Sequence, residues 1–599
     1  MAEVSTFRRM LRGFGRGITA FREFFINAMF VIFLLVLVAV LLADPDHVEI
    51  PDTVALVIAP KGAVVEQSTR NASVTDLFGA ADLSNEAILK NIVTALKRSR
   101  DDARVQLVVL RLGDLAGVSP AHLEAIGLAL AETREAGKEI IATGDFYTQS
   151  QYYLASFADA VYMHPMGQIG LSGLGIFQNY YRELLDKLKI NVHVFRAGTY
   201  KAAVEPYMLT AMSEEARENN RELLSVLWAD YLDTVSTNRN LEPAVLERFI
   251  DEPDVVLEGA GGDMARAALE HGLIDELLTR DELRSRLIAK VGEDDGNVRA
   301  IGIGDYLRGT SDNADKPADR IGVVVASGMI LAGEQPRGRV GGDTLSRLIR
   351  KARLDDRIKA LVLRVDSPGG SPIASELIRH ELELAQLSGK PVVASMAGVA
   401  ASGGYWISAT ADEIWAAPTT ITGSIGVFAP LPTFEGVMEE IGINRDGVGT
   451  HELAGMDVLT GIRPPLDRFL QITVDNTYRQ FINLVARGRD MLPEEVDAIG
   501  QGRVWSGTDA KERGLVDELG HLDDAIAAAA RLAGLESYDV RYIEKPRSAR
   551  ELLLAQLAKN FGLVPSGVIS ELTRVMDDLR WLTEPQRPIS LCQNCTVRY

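Results

Sequence analysis

Apolar positions along this chain fall into two kinds of pattern. From 24 to 43 runs a stretch of twenty residues interrupted only by Asn27, and as a helix that length crosses a hydrocarbon core of about 30 Å. Beyond it, short β-branched runs alternate with stretches of helical periodicity, the pattern of βα units packed in layers. The runs 54–58, 107–112 and 139–143 read as strands, and so do 321–326, 360–365 and 392–395. Helical periodicity marks 344–351, 374–387 and 402–409. These expectations define an α/β chain preceded by one transmembrane helix.

The two sets of strands belong to two copies of one unit. The segment beginning Asp102-Ala-Arg-Val matches the one beginning Asp355-Asp-Arg-Ile at a separation of 253 positions, and Gly170 matches Gly423 at the same separation. Later, Gly198-Thr199 matches Gly449-Thr450 at 251, and Gly272 to Leu277 matches Gly514 to Leu519 at 242. Short insertions in loops absorb such drift. We therefore divide the chain into an N-terminal tail (1–23), a membrane anchor (24–43), a first repeat (53–291), a linker (292–320) rich in Gly and Asp, a second repeat (321–545) and a C-terminal tail (546–599). Within the tail, 552–563 is apolar-periodic and suits an interface or a membrane surface.

Charge decides the orientation of the anchor. Arg8, Arg9, Arg12, Arg16 and Arg22 precede it, while Asp44, Asp46, Glu49 and Asp52 follow it, with no Lys or Arg before Lys61. By the positive-inside bias the N-terminus is cytoplasmic, and the remainder lies across the inner membrane, on the periplasmic side in a Gram-negative cell. A cleaved signal peptide is the rival reading, but its apolar region is usually 7–15 residues long, and Leu41-Leu42-Ala43 lacks the small-x-small cleavage pattern. The net charge of −20 disfavours nucleic acid as a partner. Two cysteines, Cys592 and Cys595, cannot build a four-thiolate zinc site, and neither a cofactor nor a metal is expected.

Comparing the copies isolates candidate chemistry. After its strand, the second copy reads Asp366-Ser-Pro-Gly-Gly370, where the first has Gly113-Asp-Leu-Ala-Gly117. Paired glycines let a turn aim backbone N–H groups outward, as an oxyanion hole requires, although such a sequence also makes a plain turn. Ala401-Ser-Gly-Gly-Tyr405 leads from a strand into a helix and sets Ser402 opposite Gln149 of the first copy. A helix cap would explain a serine there; a nucleophile would explain why the copies differ. For a base, His380 and His451 are candidates, as is Lys201, which faces Glu452 in the alignment.

Together, Gly198-Thr-Tyr-Lys-Ala-Ala-Val-Glu-Pro206, Ser367-Pro-Gly-Gly370, Ala401-Ser-Gly-Gly-Tyr405 and Thr422-Gly-Ser-Ile-Gly426 resemble the long, duplicated form of the signal peptide peptidase A (protease IV) family, within the Clp protease/crotonase-like superfamily. The resemblance runs from the anchor to about residue 545. It implies two tandem crotonase/Clp-protease-like repeats and a serine endopeptidase in which Ser402 is the nucleophile and Lys201 the base. It further implies that Ser424 orients the lysine and that Gly403 and one of Gly369 and Gly370 supply the oxyanion donors. Released signal peptides and other apolar peptides would be the substrates, and a homo-oligomer, a homotetramer in the family, the working form. Two other readings use the same fold: a non-catalytic membrane scaffold, and a crotonase-like acyl-CoA enzyme.

Overall fold

The computed structural model describes residues 22–32, 48–69, 86–310, 317–545 and 590–591. Of the expected anchor, 24–32 is helical and the remainder lies outside the described residues; among the described residues no helix is long and apolar enough to cross a membrane. The apolar stretch 552–563 and both cysteines also lie outside them.

In the first repeat the elements run β1 (Val54–Ile58), α1 (Leu89–Asp101), β2 (Val105–Arg111), α2 (Pro120–Glu135), β3 (Glu139–Thr148), α3 (Gln149–Ala155), β4 (Ala160–Gly170), β5 (Asn191–Ala197), α4 (Glu214–Arg239), β6 (Glu276–Leu277) and β7 (Ala300–Gly302). Six of these strands form a parallel sheet in the order β7-β1-β2-β3-β4-β6. Residues 292–310, expected as linker, instead supply β7 as an edge strand paired with β1, followed by a helix that buries Tyr306 in the core. A weak hydrophobic period concealed them, because a three-residue edge strand is too short to show one.

The second repeat follows the same plan, with β8 (Arg320–Ser327), α5 (Gly342–Arg353), β9 (Ile358–Ser367), β10 (Gly369–Gly370), α6 (Pro372–Leu387), β11 (Val392–Ala401), α7 (Gly403–Ser408), β12 (Glu413–Ala416), β13 (Ile421–Gly423), β14 (Val427–Thr433), α8 (Pro464–Arg489), β15 (Val504–Ser506), β16 (Glu518–Leu519) and β17 (Asp539–Tyr542). Its sheet is ordered β15-β13-β11-β9-β8-β17, with β12 branching from β11 to β16. A last described strand, β18 (Ser590–Leu591), pairs antiparallel with β10. Strands read as near-continuous apolar runs because helices cover both faces of each sheet. Leu361 and Leu363 pack into one core, Ala360 and Val362 into the other.

Towards the ends of β3 and β11 the pairing registers coincide between the copies. Phe146 opposes Gln168 as Val399 opposes Ile421, and Thr148 opposes Gly170 as Ala401 opposes Gly423. Both major helices after the glycine turn region start with Ser-Pro: Ser119 and Ser371 cap the helices, with proline at the first position, where its missing N–H costs nothing.

One strand departs from this plan. β5, expected within the first repeat, makes no pair in that repeat's sheet; it runs antiparallel to β14 of the second, from Ala197 opposite Val427 to Asn191 opposite Thr433. The repeats are thus joined by a two-stranded ribbon, which carries the segment after Ala197 into the second repeat.

Candidate active site

Ser402 ends the chain's passage from β11 into α7. It occupies the cap position, but its side chain makes no cap hydrogen bond. Its backbone is held at φ 57° and ψ −115°, a region costly for a residue with a Cβ. The Ser402 N–H donates to Gly423 O at 2.8 Å and the Trp406 N–H to Ser402 O at 2.9 Å, and these bonds keep the turn in place. Thr422 Oγ1 braces it from the neighbouring strand by donating to Ala400 O at 2.7 Å.

Lys201 arrives from the other repeat. Lys201 Nζ lies 2.7 Å from Ser402 Oγ, 2.8 Å from Ser424 O and 3.0 Å from Ser424 Oγ. The lysine is 1% exposed, and burial pushes its amine well below the ordinary value, with no carboxylate opposing the shift. A neutral amine has two N–H donors and one lone pair. Ser424 O can only accept and so takes one N–H, while each of the two serine hydroxyls can accept the other N–H or donate to the lone pair. His380 and His451 lie elsewhere, both exposed, beside Glu383 and Thr450.

A loop absent from the sequence reading fixes the lysine backbone. Tyr200 N–H donates to Gln501 O at 2.8 Å, and Gly502 N–H donates to Ile425 O at 2.7 Å. A Cβ on Gly502 would sit 2.6 Å from Lys201 N and 2.7 Å from its Cα. Gly502 therefore lets the lysine loop and the serine loop close against each other. The sole sequence signal was a second glycine beside Gly500, too common to single out.

Gly403, Gly369 and Gly370 come together beside Ser402. The Cβ position of Gly403 is 3.0 Å from Gly370 N and 3.1 Å from Gly369 Cα, so only glycine allows this approach. Gly369 N–H donates to Ser367 Oγ at 3.2 Å, and that hydroxyl donates to Gly328 O at 2.7 Å. In the first repeat, Gln149 fills the matching place and is turned inward: its Oε1 accepts from Ser172 N–H and Gly173 N–H at 3.1 and 2.9 Å. Among the described residues no group of His, Cys, Asp and Glu could hold a metal ion.

A duplicated α/β chain with a buried lysine against a serine at a strained strand-to-helix turn has the fold and site of a serine peptidase. The model of Peptidase family S49 matches residues 132–292 and 385–536, and the chain belongs to that family. It is 39% identical to Protease 4 of Salmonella typhi, over 96% of each chain. Identity is 35% to Protease 4 of Haemophilus influenzae, over 96% of this chain and 97% of that one. The chloroplastic serine protease SPPA of Arabidopsis thaliana is 28% identical over 87% of this chain and 76% of its own.

Proposed function

We propose that this serine peptidase works through a Ser402/Lys201 dyad and cleaves apolar peptides, released signal peptides among them, while anchored to the inner membrane with its catalytic part on the periplasmic side. The 2.7 Å approach of Lys201 Nζ to Ser402 Oγ carries the reading. Lys201, neutral, takes the Ser402 proton as Oγ attacks the scissile carbonyl carbon. The oxyanion is met by N–H groups of Gly403 and of Gly370, since the Gly369 N–H is engaged by Ser367. Protonated Lys201 then gives its proton to the leaving amine, and water hydrolyses the acyl-enzyme by the reverse sequence of proton transfers.

Pairing of β18 with β10 supports a peptide substrate, because the edge beside the oxyanion turn accepts an extended strand. A scaffold has no use for a desolvated lysine against a serine, and coenzyme A is a cytoplasmic compound. Incubating the protein with a signal peptide and with an acyl thioester tests the reading: peptide cleavage lost in Ser402→Ala supports it, and thioester turnover alone overturns it.

We further propose that it works as a homo-oligomer in which copies meet as the repeats do. Inside one chain, α4 holds Val504 through both amide atoms of Asn219 and packs Leu223 and Leu227 on Ala401 and Ile421, while Glu124 of α2 meets Thr419. At the matching positions both surfaces are bare. Phe469, matching Asn219, is 61% exposed and Met166, matching Thr419, is 86% exposed, against 1% for Thr419 itself. A cavity of about 620 Å³ between α6 and α8, lined by Ile373, Glu376, Leu377 and Thr477, is where a second copy's Met166 would enter. Such a head-to-tail contact closes into a ring when its rotation permits. In a Cys592→Ser/Cys595→Ser background, Met166→Cys with Glu376→Cys should give a covalent ladder on oxidation and neither alone should; an oligomer without the ladder would place the contact elsewhere.

A further inference from the structure

Below the active site, one side chain of the second repeat ties two catalytic strands together. Arg364, in β9, donates through Nη1 to Ser395 Oγ at 2.9 Å and to Met396 O at 3.1 Å, both in β11. β9 runs on to the Gly369–Gly370 turn and β11 to Ser402. Immediately beyond Arg364 the pairing breaks register: Val365 opposes Met396, yet Ser367 opposes Ala400. Asp366 alone therefore faces Ala397, Gly398 and Val399, and its Oδ1 accepts the Val399 N–H at 3.1 Å. Bulges of this kind re-aim the strand that follows. Here the bulge sets how far the oxyanion turn stands from the nucleophile.

The first repeat grips this bulge from beneath. Glu66 Oε1 accepts from Arg364 Nε at 2.9 Å and Nη2 at 2.6 Å, and it lies 3.1 Å from His122 Nε2. Glu66, His122 and Arg364 are all buried. Ser119, which caps α2, presses on the bulge directly: a Cβ on Gly398 would lie 2.5 Å from Ser119 Oγ and 3.3 Å from Asp366 Oδ1. In the first repeat's own copy of these strands the arrangement is missing. Arg111, matching Arg364, is exposed, Gly113 replaces Asp366, and the pairing ends at Arg111 opposite Thr143.

We propose that Glu66 and Ser119 of the first repeat, acting through Arg364 and the Asp366–Gly398 bulge, are positioning residues for the oxyanion turn of the second. The first repeat then completes the site at two places, with Lys201 above the serine and with this wedge below the turn. The wedge explains why a carboxylate and a guanidinium are kept dry at the junction, where an apolar pair would hold the repeats together as well. It rests on the Ser402/Lys201 reading, since a turn has an oxyanion to meet only if Ser402 attacks a carbonyl.

The test measures kcat, KM and the dissociation constant of a peptide boronate, whose tetrahedral adduct occupies the oxyanion site, in the full-length enzyme in detergent. Glu66→Gln should lower kcat by about 10- to 100-fold with KM within about twofold, and weaken the boronate by the factor lost in kcat. Gly398→Ala should do the same, and adding Ser119→Gly should restore kcat by making room for the new methyl. Wild-type kcat in Glu66→Gln and Gly398→Ala, even with a lowered melting temperature, overturns the proposal. So does a fall in kcat that leaves boronate affinity unchanged. Ser402→Ala, measured in parallel, separates the two claims: activity surviving that change refutes the dyad, whatever the wedge variants do.

Discussion

Lys201 and Ser402 stand 201 positions apart in the chain and 2.7 Å apart in space. The β5–β14 ribbon makes this possible, because it carries the loop after Ala197 out of its own repeat. In the proposed dyad the duplication divides the labour, the nucleophile lying in one copy and the base in the other, with Gln149 and Glu452 at the matching positions.

Activity should follow the protonation of Lys201. Its amine is held below the ordinary value by burial alone, so kcat/KM should rise with pH along one limb as the lysine loses its proton and then level off. Lys201→Arg should be inactive at every pH, at least about 1,000-fold down, because a guanidinium keeps its proton. A pH–rate profile of both proteins checks this.

Gly502→Ala should abolish activity without touching either dyad residue. The added methyl would meet the Lys201 backbone at 2.6–2.7 Å, and Gly502 has φ 81°, which favours glycine. We expect a loss of at least about 100-fold in kcat, as small displacements of a catalytic group cost that much, with folding retained by circular dichroism.

Glu124 gives the junction between repeats a pH dependence of its own. Burial, reinforced by Asp230, raises its carboxyl to about 8. The unfolded chain releases this proton near pH 4.5 and the folded chain holds it until about 8, so the folded state binds more protons in between and stability falls as pH rises through that window. Glu124→Gln should flatten this slope, melting higher than wild type by a margin that grows from pH 5 to 8. Thermal melts across that range would show it.

Much of this was legible from one copy read against the other. The asymmetries Ser402/Gln149, Lys201/Glu452 and Gly369/Ala116 mark residues that the structure brings together, although the copies alone left His380 and His451 alongside Lys201 as candidate bases and the family resemblance chose among them. Strands buried on both faces announced themselves as apolar runs. The β5–β14 ribbon did not, because a strand's sequence does not say which sheet edge it will join. Nor did Glu66, whose partner Arg364 lies 298 positions away, so that no local spacing connects them. β7 carries no strand signal of its own, because three residues are too few to show a period.

The most direct test of a shared dyad is the rate at which Ser402 Oγ attacks an electrophile that stays bound to it. A peptide fluorophosphonate, followed by intact mass against pH, reports attack by the serine with no contribution from product release. Wild type should add one label, lost in Ser402→Ala, at a rate rising with pH along the limb that governs peptide cleavage, and Lys201→Ala should label at least about 1,000-fold more slowly with that limb gone. Labelling of Lys201→Ala at the wild-type rate and with the wild-type pH profile would contradict the account and assign the base to another residue.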